Sequence, residues 1–190
     1  MATVLVPLAD GFEEIEAVTV IDVLRRAGAD VTVAGLVSGP VHGSHGIPLV
    51  PDEVLDDVLS RHFDMIVLPG GLPGADNLEA DPRIRDLLVE MAADGRFTTA
   101  ICAAPKVLAA AGLLDGRKAT SFPGFLEPHR DRGLELEADA VVRDGRIITS
   151  RSAGTAMDFA LELVAALVGE ERATEVESRL RRTNPIRATL

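Results

Sequence analysis

The chain has 190 residues, 47% of them hydrophobic, with 19 Lys and Arg against 30 Asp and Glu and a net charge of −11. So acidic a balance excludes a general binder of nucleic acid or anionic membrane surfaces, because no basic field gathers phosphates. At this length one domain is expected, burying roughly 70% of its unfolded surface without a disulfide or metal staple.

With no Trp or Tyr, the core must be built from aliphatic side chains. Thr3 to Leu8 reads as a buried strand. No basic stretch followed by an apolar run and a cleavage site precedes it, so no signal peptide is expected. No apolar run approaches the ~20 residues that span a bilayer. Glu13 to Ala27 reads as a helix with Ile15, Val18, Ile21, Val23 and Leu24 apolar and a stop at Gly28. Val31 to Leu36 is a second strand. Val37 to Val50, rich in Gly, Ser, His and Pro, predicts a small hairpin or excursion. A short helix is expected over Val54 to Leu59, then a strand over Phe63 to Pro69 ending in Gly70-Gly71. Pro82 to Ala93 is an amphipathic helix facing inward through Ile84, Leu87, Leu88 and Met91.

The next apolar run, Phe97 to Ile101, ends at Cys102, and Pro105 opens a helix just beyond it. Lys118 to Phe122 predicts a short strand. Val141 to Thr149 reads as a hairpin turning at Asp144-Gly145. Thr155, with Asp158 three residues on, is expected to cap a helix running to about Val168. Glu170 to Arg182 is a polar helix. A single domain is expected over residues 1–182, with 183–190 a flexible C-terminal tail.

Strands alternating with helices imply a mainly parallel sheet covered on both faces. Sites in such sheets form beyond the carboxyl ends of the strands. Three candidate segments fall there: the loop after Leu8, the Gly70-Gly71 turn and the Cys102 corner. Cys102 is the only cysteine, so an intramolecular disulfide is impossible. Packing, reactivity and pairing between chains remain open to it. A lone thiol also fits a reducing, cytoplasmic location. A helix N-terminus beside it favours thiolate, which could attack an electrophilic carbon, bind metal or oxidise.

Glu13, Glu14 and Glu16 open the first helix, where acids compensate the helix dipole. Glu16 has a second reading, as a carboxyl kept protonated by a nearby thiolate and available to shuttle a proton. Spacing alone leaves both readings open. Gly70-Gly71 is either a turn or a backbone N–H aimed at an oxyanion together with that of Ala103. His42, His45, His62 and His129 lack metal-ligand spacing and read as surface or loop residues. Phosphate-loop and dinucleotide-binding glycine patterns are absent.

Four segments occur in order: Gly11-Phe12-Glu13-Glu14-Ile15-Glu16, Leu68-Pro69-Gly70-Gly71, Ala100-Ile101-Cys102-Ala103-Ala104-Pro105 and Thr149-Ser150-Arg151-Ser152-Ala153-Gly154-Thr155. Together they closely resemble the ThiJ/PfpI superfamily, in its Parkinson-disease protein deglycase branch, over about residues 2 to 180. The resemblance implies a flavodoxin-like three-layer α/β/α sandwich, usually a homodimer. It places the nucleophile at Cys102, its protonated acidic partner at Glu16 and backbone oxyanion donors at Gly71 and Ala103, with no cofactor or metal. The implied activity is that of a glutathione-independent glyoxalase or a deglycase, acting on methylglyoxal-type dicarbonyls or their early protein adducts. The alternative is an oxidative-stress sensor or chaperone acting through oxidation of Cys102. The chain departs from the branch's pattern in two places. Phe122 stands where animal members often have histidine, and His45 where they often have arginine. Ala103 stands where the protease-like branch has histidine, which argues against a Cys-His peptidase.

Overall fold

Val4, Leu5, Val6 and Leu8 are all fully buried, although successive side chains of a strand point to opposite faces. Such a strand must lie at the centre of a sheet covered on both sides. A computed structural model of the chain, describing residues 1–183, has that architecture; the expected tail over Asn184–Leu190 lies outside the described residues. The first strand is β1 (Thr3–Leu8), followed by α1 (Glu14–Arg26) and β2 (Asp30–Gly35). A small hairpin, β3 (Val41–His42) and β4 (Pro48–Leu49), occupies the expected excursion, before β5 (Glu53–Val54) and a single turn of helix, α2 (Leu55–Val58). Then come β6 (Met65–Leu68), α3 (Gly74–Ala80), α4 (Pro82–Ala93), β7 (Phe97–Ile101) and α5 (Pro105–Ala110). The chain continues through β8 (Lys118–Ala119), β9 (Glu135–Leu136), β10 (Val141–Asp144), β11 (Ile147–Ser150), α6 (Ala156–Val168) and α7 (Glu170–Leu180).

The main sheet has the order β10-β11-β7-β6-β1-β2-β5. Every pairing in it is parallel except that of β10 with β11. The central order β2-β1-β6-β7-β11 is the flavodoxin-like arrangement, in which the strand order reverses between β1 and β6. On one face, Val4, Val6 and Leu8 pack with Val20 and Leu24 of α1, Phe159 and Leu163 of α6 and Val176 of α7. On the other, Leu5, Ile66 and Leu68 pack with Leu78, Ile84, Leu88 and Leu108 from α3, α4 and α5.

Several expectations are revised. Ile15 and Val18 are exposed (59% and 50%), and α1 turns Ala17, Val20, Ile21 and Leu24 inward instead. Thr155 makes no side-chain cap for α6. It completes a capping box with Ser152 around a short 3-10 turn, accepting from the Ser152 N–H at 3.0 Å. The strand expected over Lys118 to Phe122 stops at Ala119, because the next backbone donors leave the ladder. Thr120 N–H goes to Thr149 Oγ1 and Phe122 N–H to Cys102 O. Helix α7 ends at Leu180, with Arg181 left-handed at φ 55°. Sequence periodicity gave no sign of α3, whose buried side consists only of Gly74, Ala75 and Leu78.

Candidate active site

Strands β7, β6 and β1 are neighbours, so their carboxyl ends bring three loops together beside the point where the strand order reverses. Cys102 ends β7 with φ 64°, a left-handed conformation that strains a side-chain-bearing residue by roughly 1–3 kcal/mol. The surroundings hold it there. Its N–H donates to Ser150 O at 2.9 Å, and its carbonyl accepts from Phe122 N–H at 2.8 Å. This sharp strand-to-helix turn presents the sulfur to the loops after β1 and β6, the geometry of a nucleophile elbow.

Glu16 lies in the first turn of α1, at the head of the inward stripe that continues through Val20 and Leu24, and it is fully buried. Gly70 N–H donates to its Oε2 at 2.8 Å. Its Oε1 is buried with no well-formed hydrogen bond, and the Cys102 thiol is the side chain beside the carboxyl. The N–H groups of Gly71 and Ala103 both interact with the sulfur and favour its ionisation. Glu16, Gly71, Cys102 and Ala103 are therefore brought together. Gly70 joins them as the donor to Glu16, a role that sequence reasoning missed.

The electrostatics of the pair revise the expectation of a simply acidified thiol. Burial pushes Glu16 up to about 7, against the Gly70 hydrogen bond, which pulls it down. Burial, then the Glu16 charge and the thiol's own hydrogen bond to Glu16, push Cys102 up to about 12. The donors at Ala103 and Gly71 only partly oppose this. Two anions side by side in a desolvated pocket are disfavoured, so between these limits the pair carries one negative charge and shares one proton. Moving that proton onto Glu16 leaves Cys102 as thiolate.

The raised Glu16 value carries a stability consequence. Between its ordinary value of 4.5 and about 7 the folded state holds a proton that the unfolded state has lost, so stability falls as pH rises through this window. Glu16→Gln removes that loss. The variant is expected to be more stable than the parent above neutrality, by up to about 3 kcal/mol, and to lose this advantage near pH 4.5. Urea unfolding on both sides of the window measures it, and an equal difference at both pH values would refute the burial argument.

Phe122, flagged in the sequence only as a departure, is half-exposed next to Cys102, and its ring meets Phe125 edge-on at a centroid distance of 6.3 Å. The four histidines are all outside the core, and His45 sits on the β3–β4 turn. One group of side chains suited to a metal is found among the described residues: Glu13, Glu14 and His45. The lack of metal-ligand spacing along the chain had hidden it, because the hairpin closes 31 residues of separation.

No helix among the described residues is long and apolar enough to cross a membrane. The DJ-1/PfpI family profile matches residues 2–166. Protein DJ-1 homolog A of Arabidopsis thaliana is 45% identical over 186 residues, covering 96% of this chain, but the chain spans about half of that relative's length, 47%. Protein dj-1beta of Drosophila melanogaster is 43% identical across 93% of this chain and 95% of its own length. The glutathione-independent glyoxalase DJR-1.2 of Caenorhabditis elegans is 39% identical over 90% of each chain. The crystal structure of Drosophila melanogaster DJ-1beta superposes with a TM-score of 0.91 at 42% identity, over 96% of this chain and 99% of that one. A fold shared at this level, with a family match across most of the sequence, leads to one conclusion: the chain belongs to the DJ-1/PfpI family.

Proposed function

We propose that the chain is a cysteine-dependent, glutathione-independent glyoxalase that converts methylglyoxal-type dicarbonyls, free or as early protein adducts, without a cofactor. The observation that carries this reading is the buried Glu16 carboxyl, held by the Gly70 N–H at 2.8 Å and set beside the Cys102 thiol. The name of the Caenorhabditis elegans relative supports the same activity.

The Cys102 thiolate adds to the aldehyde carbon, and the carbonyl electron pair moves onto oxygen. Gly71 and Ala103 N–H stabilise that oxyanion until it takes the Glu16 proton, giving a hemithioacetal. The Glu16 carboxylate then removes the hydrogen of the same carbon as a proton. The C–H pair forms the enediol double bond, and the ketone oxygen is protonated. The hydroxyl on the sulfur-bearing carbon then gives up its proton, which Glu16 delivers to the neighbouring carbon, so that a carbonyl forms beside the sulfur and the product is a lactoyl thioester; water displaces the Cys102 thiolate to release lactate and a proton. One carbon is oxidised by two electrons and its neighbour reduced by two, so no external oxidant is needed. A single acid that both gives and takes protons suffices, which suits a carboxyl held near neutrality. Purified protein incubated with methylglyoxal and no glutathione is expected to form lactate; absence of lactate would overturn the reading.

The assembly is proposed to be a homodimer. Ile15 and Val18 on α1 are exposed, as is Ile47 on the β3–β4 turn at 60%. The Ile47 N–H bonds the side chain of Glu14, next to Ile15, so these apolar groups lie on neighbouring segments. Sedimentation velocity is expected to give a dimer, and Val18→Asp to shift it to monomer. A monomeric parent would remove this proposal.

A further inference from the structure

Where the β3–β4 turn meets the start of α1, four donor atoms from Glu13, Glu14, Ser44 and His45 converge outside the Cys102 site. Ser44 Oγ lies 3.0 Å from His45 Nδ1, 3.2 Å from Glu13 Oε2 and 3.4 Å from Glu14 Oε2. His45 Nδ1 lies 3.1 Å from Glu14 Oε2 and 3.6 Å from Glu13 Oε2. A tetrahedron around Zn2+ with bonds of 2.0–2.1 Å has edges of about 3.3 Å. Five of the six edges here match that size, and the remaining carboxylate–carboxylate edge lies within 4.8 Å.

Proton counting separates this arrangement from an ordinary hydrogen-bond network. The Ser44 hydroxyl supplies one hydrogen and His45 Nδ1 at most one. Two hydrogens serve five close contacts, two of whose four atoms belong to separate carboxylates. The cluster is short of positive charge at its centre, which a divalent cation would supply.

The donors are also held in place. Glu14 is buried, and its other oxygen, Oε1, is occupied by the backbone N–H groups of His45 at 2.8 Å and Ile47 at 3.2 Å. That leaves Oε2 turned toward the cluster, an outer-shell constraint of the kind that orients metal ligands. The turn is closed around this carboxylate so tightly that a Cβ on Gly43 would lie 2.2 Å from Oε1. Further bonds strap the hairpin to the loop that leads into α1: Ser44 N–H donates to Phe12 O at 2.8 Å and Gly11 N–H to His42 O at 2.7 Å.

We propose that Glu13, Glu14 and His45 form a Zn2+ site, with the Ser44 hydroxyl at the fourth corner. The oxygen-and-imidazole set and the tetrahedral spacing favour Zn2+ over the larger, higher-coordinate Ca2+ and the octahedral Mg2+. The bound ion ties the β3–β4 turn to the start of α1. Because Glu13 N–H donates to Gly70 O at 2.9 Å, it also braces the loop that holds Glu16.

The test uses full-length protein carrying Cys102→Ala, so that the thiol cannot bind the metal. Titration calorimetry with zinc sulfate is expected to give one ion per chain. His45→Ala and Glu13→Gln, each added to that background, should weaken binding at least tenfold, while His62→Ala leaves it unchanged. Bound Co2+ should show the strong visible bands of a tetrahedral site without a thiolate charge-transfer band. His45 is exposed on a turn, so its truncation leaves the core intact, and metal-free melting curves check this. Loss of stoichiometric binding in Cys102→Ala alone, or undiminished binding in His45→Ala, overturns the proposal.

Discussion

Cys102→Ala is expected to abolish lactate formation from methylglyoxal, lowering kcat/KM by about 10³-fold or more, as removal of a covalent nucleophile does. The substitution removes a partly buried sulfur from a position whose backbone is held independently by Ser150 and Phe122, so the fold should survive and circular dichroism should be unchanged. The parent's pH profile tests the same mechanism. The reactive state is the pair with one proton removed, so kcat/KM should rise as pH passes through about 7, where the first proton leaves. It should not fall again until the second leaves, near about 12. Equal lactate from Cys102→Ala would remove Cys102 from the mechanism, and a profile flat through neutrality would remove the shared proton.

Gly70→Ala is expected to be the most damaging substitution in the site that leaves every reacting group present. A Cβ at Gly70 would lie 2.7 Å from Cys102 Cβ, 2.8 Å from Glu16 Oε2 and 2.9 Å from Ile101 O. Two of these are held by the backbone of the strained turn, and the third belongs to a fully buried carboxyl, so the loop after β6 must move instead. That movement breaks the Gly70–Glu16 hydrogen bond and withdraws the Gly71 N–H from the sulfur. Overpacking of this kind costs about 1–3 kcal/mol, and a misplacement of roughly 1 Å costs about 10²-fold in rate. Melting temperature and kcat/KM measured together check it. Unchanged kcat/KM would show that the loop has room the structure does not give it.

Much of the fold was legible because its elements are regular. The apolar and β-branched runs at β1 and β7 announce strands buried on both faces, and the spacing of Ile84, Leu87, Leu88 and Met91 marks the inner face of α4. Helix α3 was not legible, because a segment presenting only glycine, alanine and one leucine to the core has no periodicity to read. Ile15 and Val18 misled for the opposite reason. They look like core residues, but the inward stripe of α1 begins with Glu16, a charged type that a hydrophobicity pattern assigns to solvent.

The site divides in the same way. Cys102 at a strand-to-helix corner, the acids opening α1 and the Gly70-Gly71 turn are local features, and a sequence specifies local features directly. Three matters were decided only by tertiary structure, since each depends on groups far apart in the chain. Gly70 serves Glu16 across 54 residues, so no spacing rule connects them. The thiol that a nearby helix terminus would acidify is instead pushed up by burial and by the Glu16 charge, because desolvation acts through the whole surrounding pocket. Glu14 reads as dipole compensation at a helix start, and the folded hairpin makes it the buried anchor of a four-donor cluster. The order of residues sets which chemical groups stand at the ends of the strands. Packing alone decided their distances, their shared protons and their charge.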